Sequence, residues 1–156
     1  MERENIIKEL EDVIFDINLF LKHEFGNEFC NQFKKKFLSL SPNQQMVLFL
    51  VDKKGINQVK DISLYLNIST SAVSQLVGKL VRLDILHRKV EESNRRNTLI
   101  EIGPKGRVLL NEMDQIKSTI FHKYLSKMEE EDLLIFKNSF KNFLRIIADS
   151  QEDQKA

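Results

Sequence analysis

Ser71, Ser74, Gln75, Lys79 and Arg82 recur three and four residues apart, with Gly78 among them. The positions between them include Val73, Leu76, Val77, Leu80 and Leu83. At 3.6 residues per turn the first set shares one outward face of a helix and the second set is buried. Hydroxyls and a carboxamide can exchange hydrogen bonds with the edges of base pairs, and Gly78 lets the backbone come close. Lys79 and Arg82, toward the far end, suit phosphates better than bases. Taken alone, this face reads equally well as an ordinary solvated surface.

The segment that follows favours the first reading. Ile85-Leu86-His87-Arg88-Lys89-Val90 reads as one strand and Thr98-Leu99-Ile100-Glu101-Ile102 as its return, with a polar loop from Glu91 to Asn97 between them. That loop holds Arg95-Arg96, and two arginines at a hairpin tip are well placed to enter a minor groove. The candidate DNA-contacting set is therefore Ser69, Thr70, Ser71, Ser74, Gln75, Lys79, Arg82, Arg88, Arg95 and Arg96. No catalytic set competes with it. Paired carboxylates, a nucleophile with its base and a phosphate loop are all missing, and Gly103-Pro104-Lys105-Gly106 reads as a turn. No cofactor is expected. His23 and Glu24 with Cys30 do not complete a tetrahedral ligand set, so no metal is expected either.

Several elements must position these side chains. The expected fold is mostly α: a winged helix-turn-helix with a two-stranded wing, flanked by N- and C-terminal dimerisation helices. A long amphipathic helix is expected from Glu4 to about Phe25, stopping at Gly26-Asn27. Phe29, Phe33 and Phe37 then recur every four residues and are read as core packing. Ser41-Pro42-Asn43-Gln44 combines a cap, a proline at the first helical position and the glutamine of a capping box; Gly55 suits the helix end. Ile56-Asn57-Gln58 is a candidate edge strand. The next helix is expected to bury Val59, Ile62, Leu64 and Leu66, and Ser69 to cap the outward-facing helix. After the hairpin, Val108, Leu109, Met113, Ile116, Ile120, Tyr124 and Met128 form one stripe. The last helix begins at an acidic run, Glu129 to Asp132, and carries Leu133, Phe136, Phe140, Phe143 and Ile147 at near-heptad steps.

The 156 residues are organised as a single domain. Residues 1–38 and 108–149 are expected to form a helical dimerisation lobe, 41–107 the DNA-binding lobe, and 150–156 a frayed tail. The outer helices carry more apolar surface than one small module can cover, which points to a two-fold homodimer. The net charge of +1 conceals an asymmetry. Residues 1–33 hold three basic against eight acidic side chains and 108–156 seven against nine, whereas 34–69 hold six against two and 70–107 eight against four. Positive charge therefore gathers in the middle of the chain, as attraction to phosphate requires. The start MERENIIKELEDV is too charged for a signal peptide, no run is apolar enough to cross a bilayer, and a single Cys cannot form an internal disulfide. A cytoplasmic location with no membrane partner follows as the expectation.

The ordered set LSPNQQMVLFLV, VKDISLYLNISTSAVSQLVGKLVRLDILHRKV and SNRRNTLIEIGPKG resembles the MarR (multiple-antibiotic-resistance regulator) family of bacterial transcription factors, in detail over about Leu40 to Leu110. The resemblance implies a dimeric, sequence-specific regulator, expected to be a repressor, on a pseudo-palindromic operator. Its recognition helix would enter the major groove, with Ser71, Ser74 and Gln75 toward bases and Lys79 near the backbone. The family's wing motif Asp-Arg-Arg corresponds to Asn94-Arg95-Arg96; Arg95 would be the minor-groove finger, and Arg96 would brace the wing through a salt bridge or a phosphate contact. Two departures stand out. Asn94 replaces the Asp whose ion pair stiffens the wing, and Asp84 replaces a Gly that serves a left-handed turn. Family members also bind small aromatic acids or phenols between the lobes, or sense oxidants through a Cys. A small-molecule effector is thus a candidate partner, and Cys30 a candidate redox residue, although Phe29 and Phe33 favour a structural role for it. The rival reading is a winged-helix protein-interaction module without specific DNA readout.

Overall fold

The computed structural model describes residues 1–28, 35, 37 and 39–153. Among them are six helices and one two-stranded sheet: α1 (Glu2–Glu28), α2 (Pro42–Lys54), α3 (Val59–Leu66), α4 (Thr70–Arg82), β1 (Leu86–Glu91), β2 (Asn94–Ile102), α5 (Pro104–Leu125) and α6 (Glu130–Asp153). The chain divides into two compact units, Met1–Ile116 and Lys117–Ala156, with the boundary inside α5. The fold is the expected mostly-α winged helix.

Local chemistry sets the helix ends. Ser41 Oγ accepts from the Gln44 N–H at 3.2 Å while the Gln44 carboxamide oxygen accepts from the Ser41 N–H at 2.8 Å, so both halves of the capping box form. Gly55 closes α2 at φ 63°, in the left-handed region that glycine enters without penalty. α3 ends likewise at Asn67, φ 54°.

The first unit is built on an apolar core that includes Val47, Leu48, Ile62, Val77, Leu80 and Ile100. α2 is its axis, packing against α3, α4 and β2. Leu48, Ile62 and Leu80 are fully buried, and each such side chain contributes about 1.5–3 kcal/mol. Phe37 joins this core and sits 6.2 Å from the Phe49 ring. Phe29, Cys30 and Phe33 lie outside the described residues.

Several expectations fail here for identifiable reasons. Leu64 is 72 % exposed, because the short α3 turns only the Ile62 side to the core. Leu83 is half exposed, because α4 stops at Arg82 and the next residue no longer follows the helical period. On α5 Leu109, Leu110 and Ile120 are buried, while Val108 is exposed. Ile56-Asn57-Gln58 is not a strand: among the described residues one backbone hydrogen bond, from the Ile100 N–H to the Asn57 carbonyl at 2.8 Å, links it to β2. α5 begins at Pro104 rather than after Gly106. In the second unit, α6 starts on Glu130, Glu131 and Asp132 and stays helical to Asp153, four residues into the segment expected to fray.

Candidate nucleic-acid interface

The outward-facing helix is held from beneath by Val73, Val77 and Leu80, all fully buried. Ser69 caps it, its Oγ accepting from the Ala72 N–H at 3.1 Å, so Thr70 and Ser71 occupy the first two helical positions. Ser69, Thr70, Ser71, Ser74, Gln75, Lys79 and Arg82 are all exposed. Helix spacing gathers the last five on one face, with hydroxyls and amide toward the N-terminal end and the two cations toward the C-terminal end.

The turn out of this helix carries one of the two sequence departures, Asp84. Asp84 adopts φ 61°, the left-handed conformation that a glycine would otherwise supply. The Asp84 and Ile85 N–H groups donate back to the Val81 and Leu80 carbonyls, both at 3.0 Å, completing the helix end. The Asp84 carboxylate also meets His87 Nε2 at 2.6 Å, a contact that sequence reading missed although its i, i+3 spacing was visible. From there the wing base is fastened to α5. The Gly103 N–H donates to the Ile85 carbonyl at 2.8 Å and the Lys105 N–H to the Asp84 carbonyl at 3.2 Å. A Cβ on Gly106 would overlap the Ile85 carbonyl oxygen, so only glycine fits there. Two N–H groups of the Gly103–Gly106 turn are thereby occupied, as befits a packing turn.

β1 and β2 pair antiparallel from Leu86↔Ile102 to Val90↔Thr98, and then the register jumps to Glu91↔Asn94. Arg95, Arg96 and Asn97 fall in that irregular stretch, around a tight turn at Glu92-Ser93 that is shorter than the loop expected from sequence. Asn97 Nδ2 donates to Glu91 Oε2 at 2.7 Å, and Asn94 Oδ1 accepts from the Arg96 N–H at 3.2 Å. Asn94 thus braces the tip through a neutral hydrogen bond in place of an ion pair.

Lys53 meets Asp114 at 2.9 Å and Asp52 at 3.3 Å, Arg107 meets Asp52 at 2.9 Å, and Lys89 meets Glu101 at 3.4 Å. Hydrogen bonding to Asp114, then to Asp52, raises the Lys53 pKa above the usual 10.5. By contrast, among the described residues the side chains of Lys79, Arg82, Arg88, Arg95 and Arg96 have no ion-pair partner, and all five are exposed. Of the two roles expected of Arg96, a salt bridge or a phosphate contact, the salt bridge is not formed among the described residues. Such cations are fully available to an external anion.

The structure brings Arg88 of β1 over the end of α4. The two arginines nearest Gly78 are Arg82 and Arg88, whose terminal nitrogens lie 3.8 Å and 3.9 Å from where a Cβ at position 78 would sit. Gly78 was expected to let the backbone come close; the space above it holds two guanidinium groups. Arg95 and Arg96 lie separately, beyond Arg88 at the wing tip, ~10 Å further at the rise of a strand.

A mostly apolar cavity of about 460 Å³ opens beside this assembly, lined by Leu40, Leu83, Ile85, Val108 and Leu109, with Ser39, Lys105 and Glu112 contributing polar atoms. A shallower recess of about 280 Å³ adjoins it through Ser39, Leu40 and Leu83 and reaches Lys79 and Arg82. Among the described residues no three His, Cys, Asp or Glu side chains cluster as metal ligands, and no helix is long and apolar enough to cross a membrane.

Comparison with known proteins gives the same outline. Residues 40–106 match a family described as winged helix DNA-binding domain. The chain is 29% identical to the uncharacterized HTH-type transcriptional regulator YdgG of Bacillus subtilis, over 75% of its own length and 80% of the relative's. A MarR-like transcriptional regulator from Thermotoga maritima superposes with a TM-score of 0.72 at 18% identity, covering 86% of this chain and 94% of that one. Streptococcus pneumoniae FabT, solved in complex with DNA, does so with a TM-score of 0.67 at 19% identity, covering 92% and 96%. By its matched segment and by its fold, the chain is similar to winged-helix DNA-binding regulators, a MarR-like one among them.

Proposed function

We propose that this protein is a homodimeric transcriptional regulator, acting as a repressor, that grips a pseudo-palindromic duplex site with α4 in the major groove and the wing tip in the minor groove. The observation that carries this reading is the availability of Lys79, Arg82, Arg88, Arg95 and Arg96, exposed and without carboxylate partners among the described residues, beside the hydroxyl and amide face of α4. Ser71, Ser74 and Gln75 then meet base edges, and Arg95 enters the minor groove. Two copies place their recognition helices about one helical turn apart, ~34–36 Å. α1 and α6 supply the dimer surface: Ile6, Leu10, Phe15, Phe140, Phe143 and Leu144 are each between 45 % and 63 % exposed in the single chain. The 460 Å³ cavity next to Leu83 and Ile85 has the size and apolar character to accept a small aromatic effector, which would relieve repression by shifting α4.

The test is a duplex-binding titration on the DNA upstream of the gene, across a range of salt. Arg95→Ala is expected to weaken binding and to reduce the salt slope by ~1, whereas Gln75→Ala relaxes base preference. Unchanged binding in both variants overturns the assignment. One observation favours a rival: Leu64 and Tyr65 are 72 % and 56 % exposed on α3, as a protein-docking module would need. Absence of duplex binding at modest salt would favour that module.

A further inference from the structure

We infer that Arg82 and Arg88, converging over Gly78, form one shared seat for a single phosphodiester group, which ties the recognition helix and the wing to the same point on the DNA backbone. This deepens the duplex-binding reading and rests on it. Two observations point to an external anion. The guanidinium nitrogens Nη1 of Arg82 and Nη2 of Arg88 stand 3.8 Å and 3.9 Å from one point, the vacant Cβ position of residue 78. Neither side chain has an ion-pair partner among the described residues, so both positive charges lie close to the same point without a carboxylate beside them. Like charges brought together from two elements repel, and a bridging anion removes that repulsion. A phosphate oxygen accepts charge-assisted hydrogen bonds of ~2.7–2.9 Å from guanidinium groups, often two at once.

Glycine is the condition for this arrangement. It is among the weakest helix formers, yet Gly78 sits in the interior of α4. A methyl group there would touch both guanidinium groups at ordinary contact distance and leave them in place. A carboxylate at the same position would reach both arginines and fill the seat from within. Gly78 thereby keeps the two cations unneutralised. Lys79, which shares the recess with Arg82, adds positive charge nearby.

The experiment is a double-mutant cycle on the full-length protein with a fluorescent duplex of ~30 bp, titrated over salt concentration. Arg82→Ala and Arg88→Ala are each expected to lower affinity about tenfold, and the double variant to lose little more than the worse single one, because both contact the same phosphate. Gly78→Asp should reproduce the loss with a fold unchanged by circular dichroism, while Gly78→Ala should bind like the parent. Additive losses, or a Gly78→Asp protein that binds normally, overturn the shared seat while leaving the duplex-binding reading intact. A parent protein that binds no duplex overturns both. Inorganic phosphate separates the two sources of such an anion. The DNA source predicts no saturable phosphate binding; saturable binding that leaves duplex affinity unchanged assigns the seat to a free anion and overturns the proposal.

Discussion

Asp84 shows how one residue can satisfy a backbone demand and a side-chain one together. Its φ of 61° costs a residue with a Cβ ~1–2 kcal/mol relative to glycine, and the carboxylate contact with His87 at 2.6 Å works against that cost. Asp84→Ala keeps the strain and removes the half-exposed contact, so thermal unfolding should show a loss of about 0.2–1 kcal/mol. Asp84→Gly removes both and should unfold close to the parent; if it is as unstable as the alanine variant, strain at this turn is not the cause. Residues whose role depends on immediate neighbours were readable from the sequence. Ser41, Gln44, Gly55 and Ser69 all cap where their spacing said they would. Leu64, Leu83 and Val108 were misread, because burial depends on which side the rest of the fold covers. The Arg82–Arg88 convergence was not readable either, since it depends on where β1 crosses α4.

Between elements, α2 and α5 are joined by ion pairs that no local pattern announced: Lys53 to Asp114, and Arg107 to Asp52. Because folding raises the Lys53 pKa, its contribution is fully present below 10.5 and is lost as pH climbs through the still higher folded value. Lys53→Met should therefore lower the melting temperature by a constant, small amount from neutral pH upward, the gap closing only in strong alkali. A gap that closes by pH ~9 would contradict the assignment. The wing teaches a related lesson. Alternation in 85–90 and 98–102 gave away the hairpin, whereas the candidate strand at 56–58 needed a partner that the sequence does not show, and only one hydrogen bond from Ile100 reached it. The tight turn at Glu92-Ser93 was likewise hidden, since neither the jump in register nor the Asn97–Glu91 hydrogen bond across the tip follows from the alternation.

At the scale of the whole molecule, the apolar periodicity of α1 and α6 was plain in the sequence, but its purpose lies outside a single chain. α6 buries none of its residues, and the Phe136 and Phe140 rings meet in a tilted contact, 4.6 Å between centroids, at its surface. If these faces join two copies, Phe140→Glu with Leu144→Glu should convert a dimer to a monomer by light scattering and weaken operator binding more than tenfold. A dimer of undiminished mass would place the interface elsewhere. The last consequence concerns inheritance. Gly106 admits no side chain because the Ile85 carbonyl occupies the space, and through that carbonyl the base of the wing is held to α5. Every missense codon at this position adds a Cβ, so in a saturation screen for defective alleles Gly106 should tolerate no replacement, alanine included. Such alleles would disturb the footing of the wing while Arg88, Arg95 and Arg96 all stay in the gene.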